Sequence, residues 1–196
     1  MRGFSTLVTP PAEALVSTAE MKAHLRVDFS DDDMEIEAMV EAARQYLDGP
    51  AGILGRALVT QEWSWTVSAA TENRMVLPVV PVQSVSSVTF FDAENAQQTM
   101  PAESYRLIQA NQAAWLQLEA GMSWPAVYPR DDAMTVTYTA GYGDAMDVPR
   151  PIRLAATMMA AAWYEGRDGM APRGADPLPS GVQALIDLYR VPRAVV

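Results

Sequence analysis

The sequence predicts an α+β protein in which N- and C-terminal helices pack together and a mainly antiparallel β-sheet is inserted between them. Three observations carry this reading. Hydrophobic spacing follows the helical period until Gly49-Pro50, then changes near Ala57 to an alternating pattern rich in β-branched and aromatic residues. The helical period returns after Val148-Pro149. Between these points the strand candidates are separated by short, turn-rich stretches, which leave no room for the crossover helices of a parallel sheet. The expected organisation is an N-terminal arm over 1–16, N-terminal helices over 17–56, a β-rich insert over 57–148, C-terminal helices over 149–190 that complete the helical part, and a tail over 191–196.

The first 16 residues contain Pro10-Pro11 and show no clean period, so they read as an arm or an extended lead-in. Ser17 with Glu20 forms a capping-box pattern that starts a short helix, and Met21 and Leu25 share its face. Ser30 with Asp33 repeats the pattern. Asp31, Asp32 and Asp33 then fall in a first turn, where helix-end N–H groups favour negative charge. Ile36, Met39, Val40, Ala43, Tyr46 and Leu47 form the apolar stripe of a longer helix, which Gly49-Pro50 should end. A further short turn is expected around Ile53-Leu54.

From Leu58 to Val67, Trp63, Trp65 and Val67 alternate with Glu62, Ser64 and Thr66. Met75–Leu77, Val82–Phe91, Thr99–Met100, Tyr105–Ile108, Ala114–Leu118 and Met134–Tyr138 supply the other strand candidates, with a turn at Asp92–Asn95. Pro151 suits a helix start. Ile152, Ala155, Ala156, Met159, Ala162 and Trp163 make a stripe flanked by small residues that let another backbone approach closely. Residues 166–181 are rich in Gly and Pro and read as a loop. Val182, Leu185, Ile186 and Tyr189 mark a last short helix before Pro192. The flanking helices are expected to pack on one another, because short helices need tertiary partners.

Composition narrows the function. The 196 residues hold 14 basic and 24 acidic side chains, a formal charge of −10. That balance disfavours a nucleic-acid clamp, which needs a cationic patch. Charged residues make up only 19% of the chain, so some surface is expected to meet partners. Lys22 is the one lysine, and the net positive charge is confined to residues 150–196. Cysteine is absent, which excludes disulfides, thiolate metal sites and cysteine nucleophiles. The single histidine, His24, excludes a multi-histidine metal site within one subunit. No apolar run reaches the ~20 residues needed to span a bilayer, and the start lacks a signal-peptide core. The expectation is a soluble, cytoplasmic-type protein without membrane association.

No catalytic constellation emerges. Asp31, Asp32, Asp33, Glu35 and Glu37 lack the glycine and terminal glutamate of a calcium loop and read as a wetted helix start, with a partner-facing acidic patch as the functional alternative. His24 reads as a structural or surface residue. Gly141-Tyr142-Gly143 lacks the Lys-Ser/Thr of a phosphate loop and reads as a strand end turning toward a helix. Trp63, Trp65, Trp115, Trp124, Tyr128 and Trp163 lack interleaved cations and read as core or interface aromatics.

Taken together, the ordered phrases resemble the head–tail connector, or adaptor, proteins of tailed bacteriophages and gene transfer agents. The phrases are Ser17–Val27 followed by Asp31-Asp32-Asp33, Gly55–Gln61 leading to Trp63, Pro81–Val85, Val136–Gly143, Val148–Arg153, Ala162–Arg167 and Leu178–Val182. Their order and spacing cover about residues 15–191. The resemblance implies a structural subunit of a ring, usually of twelve copies, beneath the portal protein and above the stopper or tail-terminator protein. DNA passes through the lumen without sequence-specific binding. It implies no catalysis, no cofactor and no metal, and a place at the head–tail junction of a particle assembled in the bacterial cytoplasm. In the family the C-terminal part engages the portal, which points here to Leu188, Tyr189, Arg190, Val191, Pro192, Arg193, Ala194, Val195 and Val196. The alternative reading is an assembly chaperone or a tail-completion binding module of a phage-like particle. An acidic lumen suits the ring, since a weakly repulsive wall lets the duplex slide.

Overall fold

The computed structural model describes residues 3–70, 72–110, 112–166, 178 and 181–191. They fall into two compact units. One, the β unit, comprises the described residues of 1–11 and 60–141; the other, the helical unit, those of 12–59 and 142–196.

The helical unit contains α1 (Thr18–Leu25), α2 (Asp33–Leu47), α3 (Arg150–Glu165) and α4 (Val182–Ile186). The capping box before α1 forms as the spacing predicts. Ser17 Oγ accepts the Glu20 N–H at 3.2 Å and Glu20 Oε2 accepts the Ser17 N–H at 2.9 Å. The second capping box does not form. Asp32 is the residue before α2 and makes no side-chain cap bond. The Asp33 N–H turns to the Ser30 carbonyl at 3.1 Å, while its carboxylate takes Lys22 Nζ at 2.6 Å. An ion pair with a neighbouring helix has displaced the local bond. Asp31 and Asp32 consequently lie in the turn ahead of α2 instead of within its first turn.

The buried face of α2 is Ile36, Val40, Ala43 and Leu47, as its 3.6-residue period requires. It packs on α3, which buries Ile152, Ala155, Ala156, Met159, Ala160 and Ala161. The alanines bring the two backbones close. The N- and C-terminal helices thus share one core, joined by Leu15, Leu54, Leu58, Val182 and Ile186. Past α2, the buried Asp48 ties the following loop down. Its Oδ1 accepts the Leu58 N–H at 2.9 Å and its Oδ2 accepts Arg44 Nη1.

The β unit holds two antiparallel sheets. The larger has the order β1-β2-β8-β4-β5, from Gly3–Thr9, Gln61–Val67, Met134–Ala140, Val82–Phe91 and Gln97–Thr99. The smaller is β3-β7-β6, from Arg74–Leu77, Ala113–Leu118 and Tyr105–Ala110. In the larger sheet Trp63, Trp65 and Val67 stand opposite Tyr138, Val136 and Met134 and form its apolar face. Ser64, Thr66, Thr135 and Thr137 line the other face. In the smaller sheet Met75 pairs with Leu116 and Leu77 with Ala114, all buried. Tyr138 OH accepts the Val79 N–H at 3.2 Å, which ties the segment after β3 to β8. The residues read as an extended lead-in enter the larger sheet as its edge strand β1, in register from Gly3 opposite Val67 to Leu7 opposite Trp63.

Candidate interaction surfaces

The residues with reactive or ligating chemistry are held apart. Among the described residues no group of three or more His, Asp or Glu is placed to hold a metal ion, and no helix is long and apolar enough to cross a membrane. His24 stands exposed on α1. Gly141-Tyr142-Gly143 is the turn expected from sequence. Gly141 and Gly143 have φ of 129° and 138°, and a Cβ on Gly143 would strike the Asp147 carboxylate. Tyr142 OH accepts Arg56 Nη1 at 2.6 Å, and burial raises the phenol's pKa against the opposing pull of that guanidinium. This pair is a packed structural contact of the helical unit.

The Asp31–Asp33 cluster divides on inspection. Asp31 is exposed. Asp32 accepts a hydrogen bond from Tyr164 OH, near the end of α3. Asp33 is paired with Lys22. Two of the three acids therefore clamp helices, and only Asp31 presents a carboxylate outward.

The C-terminal candidates also divide. Leu188 is 83% exposed in the single 3-10 turn over Asp187–Tyr189. Tyr189, Arg190 and Val191 are half-buried. Arg190 Nε lies 3.7 Å from Asp187 Oδ1. The Val191 N–H donates to the Leu54 carbonyl at 2.9 Å, beside Gly55. Pro192, Arg193, Ala194, Val195 and Val196 lie outside the described residues.

Other surfaces were not marked by sequence reasoning. A recess of about 750 Å³ on the smaller sheet is lined by Asn73, Arg106, Ile108, Trp115, Gln117 and Met122 among others. Its charged groups, Arg106 and Glu119, form a loose pair at 3.8 Å. Met34, Met146 and Leu154 stand exposed on the helical unit, and Phe4, Leu7 and Val8 on β1. The signal available for β1 was the absence of any charge between Gly3 and Ala12. Arg153 also escaped notice. It joins Glu20 Oε1 at 2.6 Å, the Leu15 carbonyl at 3.4 Å and Met146 Sδ at 2.9 Å, so one cation secures the start of α1 against α3.

Solved structures share the fold over nearly the whole chain. A chain in the neck of an empty gene transfer agent particle, computed with C6 symmetry, matches with a TM-score of 0.79 at 23% identity, covering 98% of this chain and 97% of that one. A chain in the virion of a native gene transfer agent matches with a TM-score of 0.78 at 24% identity over the same shares. A chain in the neck of a native particle, computed with C12 symmetry, matches with a TM-score of 0.72 at 22% identity, again covering 98% and 97%. No curated protein sequence matches. The head completion protein family model matches residues 14–191, which take in α1 to α4 and every strand but β1, and the chain belongs to the head completion protein family.

Proposed function

We propose that the chain is a structural head–tail connector subunit that assembles as a ring between the portal and the stopper or tail, with DNA passing through the lumen. The observation that carries the reading is family membership over residues 14–191. The neck location and the C12 symmetry belong to the similar gene transfer agent structures and are extended to this chain by proposal. In this reading the chain performs no catalysis and takes no cofactor. Its work is to present different surfaces to two lateral neighbours and two axial partners. The particle forms in the bacterial cytoplasm.

The segment from Leu188 to Val196 is the proposed portal anchor. The structure of its first residues supports this reading. Val191 is tied to Leu54, and the exposed Leu188 lies just before it. Arg190 and Arg193 would draw the segment toward an acidic neighbour, while Val195 and Val196 bury apolar surface. Asp31 remains the outward acid of the proposed partner-facing or lumen-facing patch.

The test uses purified portal rings. Full-length protein is expected to co-sediment with them and to appear as an added ring by electron microscopy. Deleting residues 192–196, beyond the Leu54 tie, should leave the circular dichroism unchanged and weaken portal association. Equal association of the truncated chain removes residues 192–196 from the anchor; a full-length chain that never binds portal overturns the connector reading.

A further inference from the structure

We propose that the outer edge of β1 is an assembly edge, covered in the finished ring by an extended segment of a second copy of this chain. The inference rests on the connector reading and names the lateral contact within it.

β1 is a seven-residue edge strand, Gly3–Thr9, with six of its residues exposed. One side is paired with β2; among the described residues, the other has no ladder partner. Phe4 is 53% exposed, Leu7 39% and Val8 51%, on a strand where exposure extends to both faces. Soluble proteins blunt such edges with lysine, inward-pointing charge, proline or early bulges, because unpaired N–H and C=O groups template another strand. β1 has no charge and no proline over its length, and its ladder is regular from Gly3 to Leu7 before the shift at Thr9. By contrast β4, whose edge is only partly covered by β5, carries two register shifts, at Val82/Ser84 and Val85/Ser87. Bulges of that kind discourage edge pairing. Within one sheet, therefore, β4 is interrupted twice along its length, whereas β1 runs regularly for five residues.

Charge selects the occupant. A partner of opposite sign would be recruited by charged side chains, and β1 offers none. Two copies of a chain at −10 repel each other over most of their surface. They meet at lowest cost along a neutral strip, and β1 is such a strip. The opposite end of the same sheet, β5, reads Gln97-Gln98-Thr99 and is neutral and exposed as well. Each copy thus has two different uncharged sheet ends, which is what a cyclic assembly requires of its lateral surfaces.

The size of the contact sets its behaviour. Seven residues span about 24 Å, and one added strand alone falls short of the ~1,200 Å² typical of a stable interface. Copies are expected to stay apart in dilute solution and to pair when another surface, such as a portal ring, gathers them.

The experiment follows assembly on purified portal rings. Because the chain lacks cysteine, Val8→Cys provides a unique attachment point for a benzophenone photo-cross-linker. Equal amounts of ¹⁵N-labelled and unlabelled chain are assembled and irradiated. The expected result is heavy–light cross-linked peptides from residue 8 to a second copy, with the β1 amides that face away from β2 protected from hydrogen exchange in the ring and open in the free chain. Cross-links solely to portal or within one copy, or those amides unprotected in the ring, overturn the proposal. A second arm places lysine on the edge. Phe4→Lys with Val8→Lys should keep the circular dichroism and require about tenfold more protein to fill the ring, whereas Phe4→Thr with Val8→Thr, which leaves the edge neutral, should assemble near the wild-type level. If the wild type forms rings and the double-lysine chain does so equally well, this inference fails alone. If the wild type forms no ring on portal, the connector reading fails and takes the inference with it.

Discussion

In the helical unit a buried carboxylate serves the backbone; in the β unit a buried phenol does. Asp48 is buried beyond the end of α2, where it accepts the Leu58 N–H and the Arg44 guanidinium. Tyr138 is fully buried in β8 and meets the Val79 N–H, and burial pushes its phenol pKa up, so it stays neutral. The same contrast runs through each unit. Helices leave polar ends that no regular ladder satisfies, and here Glu20, Asp33, Asp48 and Arg153 serve those ends and the joints between helices. The sheet satisfies its backbone through its own ladders, so its ion pairs are peripheral. Arg74–Glu72 at 3.9 Å and Arg106–Glu119 at 3.8 Å join exposed side chains, and pairs of that kind are worth about 0–1 kcal/mol. Charge is a structural joint in one unit and mostly a surface feature in the other.

The largest expected effect comes from putting a charge where neither unit tolerates one. Val40 is 5% exposed and Leu47 0% exposed on the core face of α2. Val40→Asp or Leu47→Asp should cost several kcal/mol, roughly 3–5, by burying an unpaired carboxylate. Urea titration followed by circular dichroism measures it, and unchanged midpoints in both variants would mean the face is not the core.

The comparison itself is tested by a pair of smaller changes. Asp48→Ala removes the acceptor for Leu58 N–H and one partner of Arg44, with an expected loss of about 2–4 kcal/mol. Tyr138→Phe removes only one hydrogen bond and keeps the ring, with an expected loss of about 1–2 kcal/mol. If Tyr138→Phe proves the more damaging in the same titration, the contrast between the units is reversed.

The smallest effect is a pH dependence. The Ser17 N–H, helped by the Ser17 hydroxyl and Arg153, holds the Glu20 carboxyl below its ordinary pKa against the opposing effect of burial. The Arg44 guanidinium does the same for Glu41. A carboxyl whose pKa is lower in the folded chain stabilises it above the unfolded pKa, and that stabilisation is lost as pH falls through the folded value. Acidification below about pH 4.5 should therefore loosen the start of α1. The β unit has lowered carboxyls too, Asp92 by Gln98 and the Ala96 N–H and Asp132 by Arg130, but both sit in turns. On stepping the pH from about 5 to about 3, hydrogen-exchange protection relative to the intrinsic rate at each pH should fall at α1 and at the 92–96 turn and stay high in the β2-β8-β4 ladder. Glu20→Gln should flatten the response at α1 alone; an unchanged acid response there would remove Glu20 from the joint.

Several elements were legible because their signals are local. The Ser17–Glu20 box, the α2 stripe and the alternation in β8 each depend on neighbours within a few residues, and the structure repeats them. The resemblance of ordered phrases extended this reading to the family, since those phrases run through both helical segments and the sheet. The candidate surfaces were legible only in outline. A C-terminal segment and an acidic triplet can be named from sequence, but how Asp31, Asp32 and Asp33 divide between solvent, Tyr164 and Lys22 cannot.

Tertiary structure decided what local pattern leaves degenerate. Alternation along β3, β6 and β7 is the same whichever sheet they join, so their separation from the larger sheet came from long-range pairing. β1 has exposure on both faces and hence no alternation to read; its pairing with β2, some sixty residues away, made it a strand. Asp33 was free to cap with Ser30 until Lys22 reached it from α1. Asp48 carries no local signal for burial, and it is buried because the chain returns at Leu58 with an N–H that needs an acceptor. By itself the sequence determined the main helices and the strands from β2 onward, and which family they compose, because period and capping are properties of adjacent residues. Which edges stay open and which charges become joints depended on groups brought together from distant parts of the chain, since a polar group's final partner is set by what else the fold places within hydrogen-bonding distance.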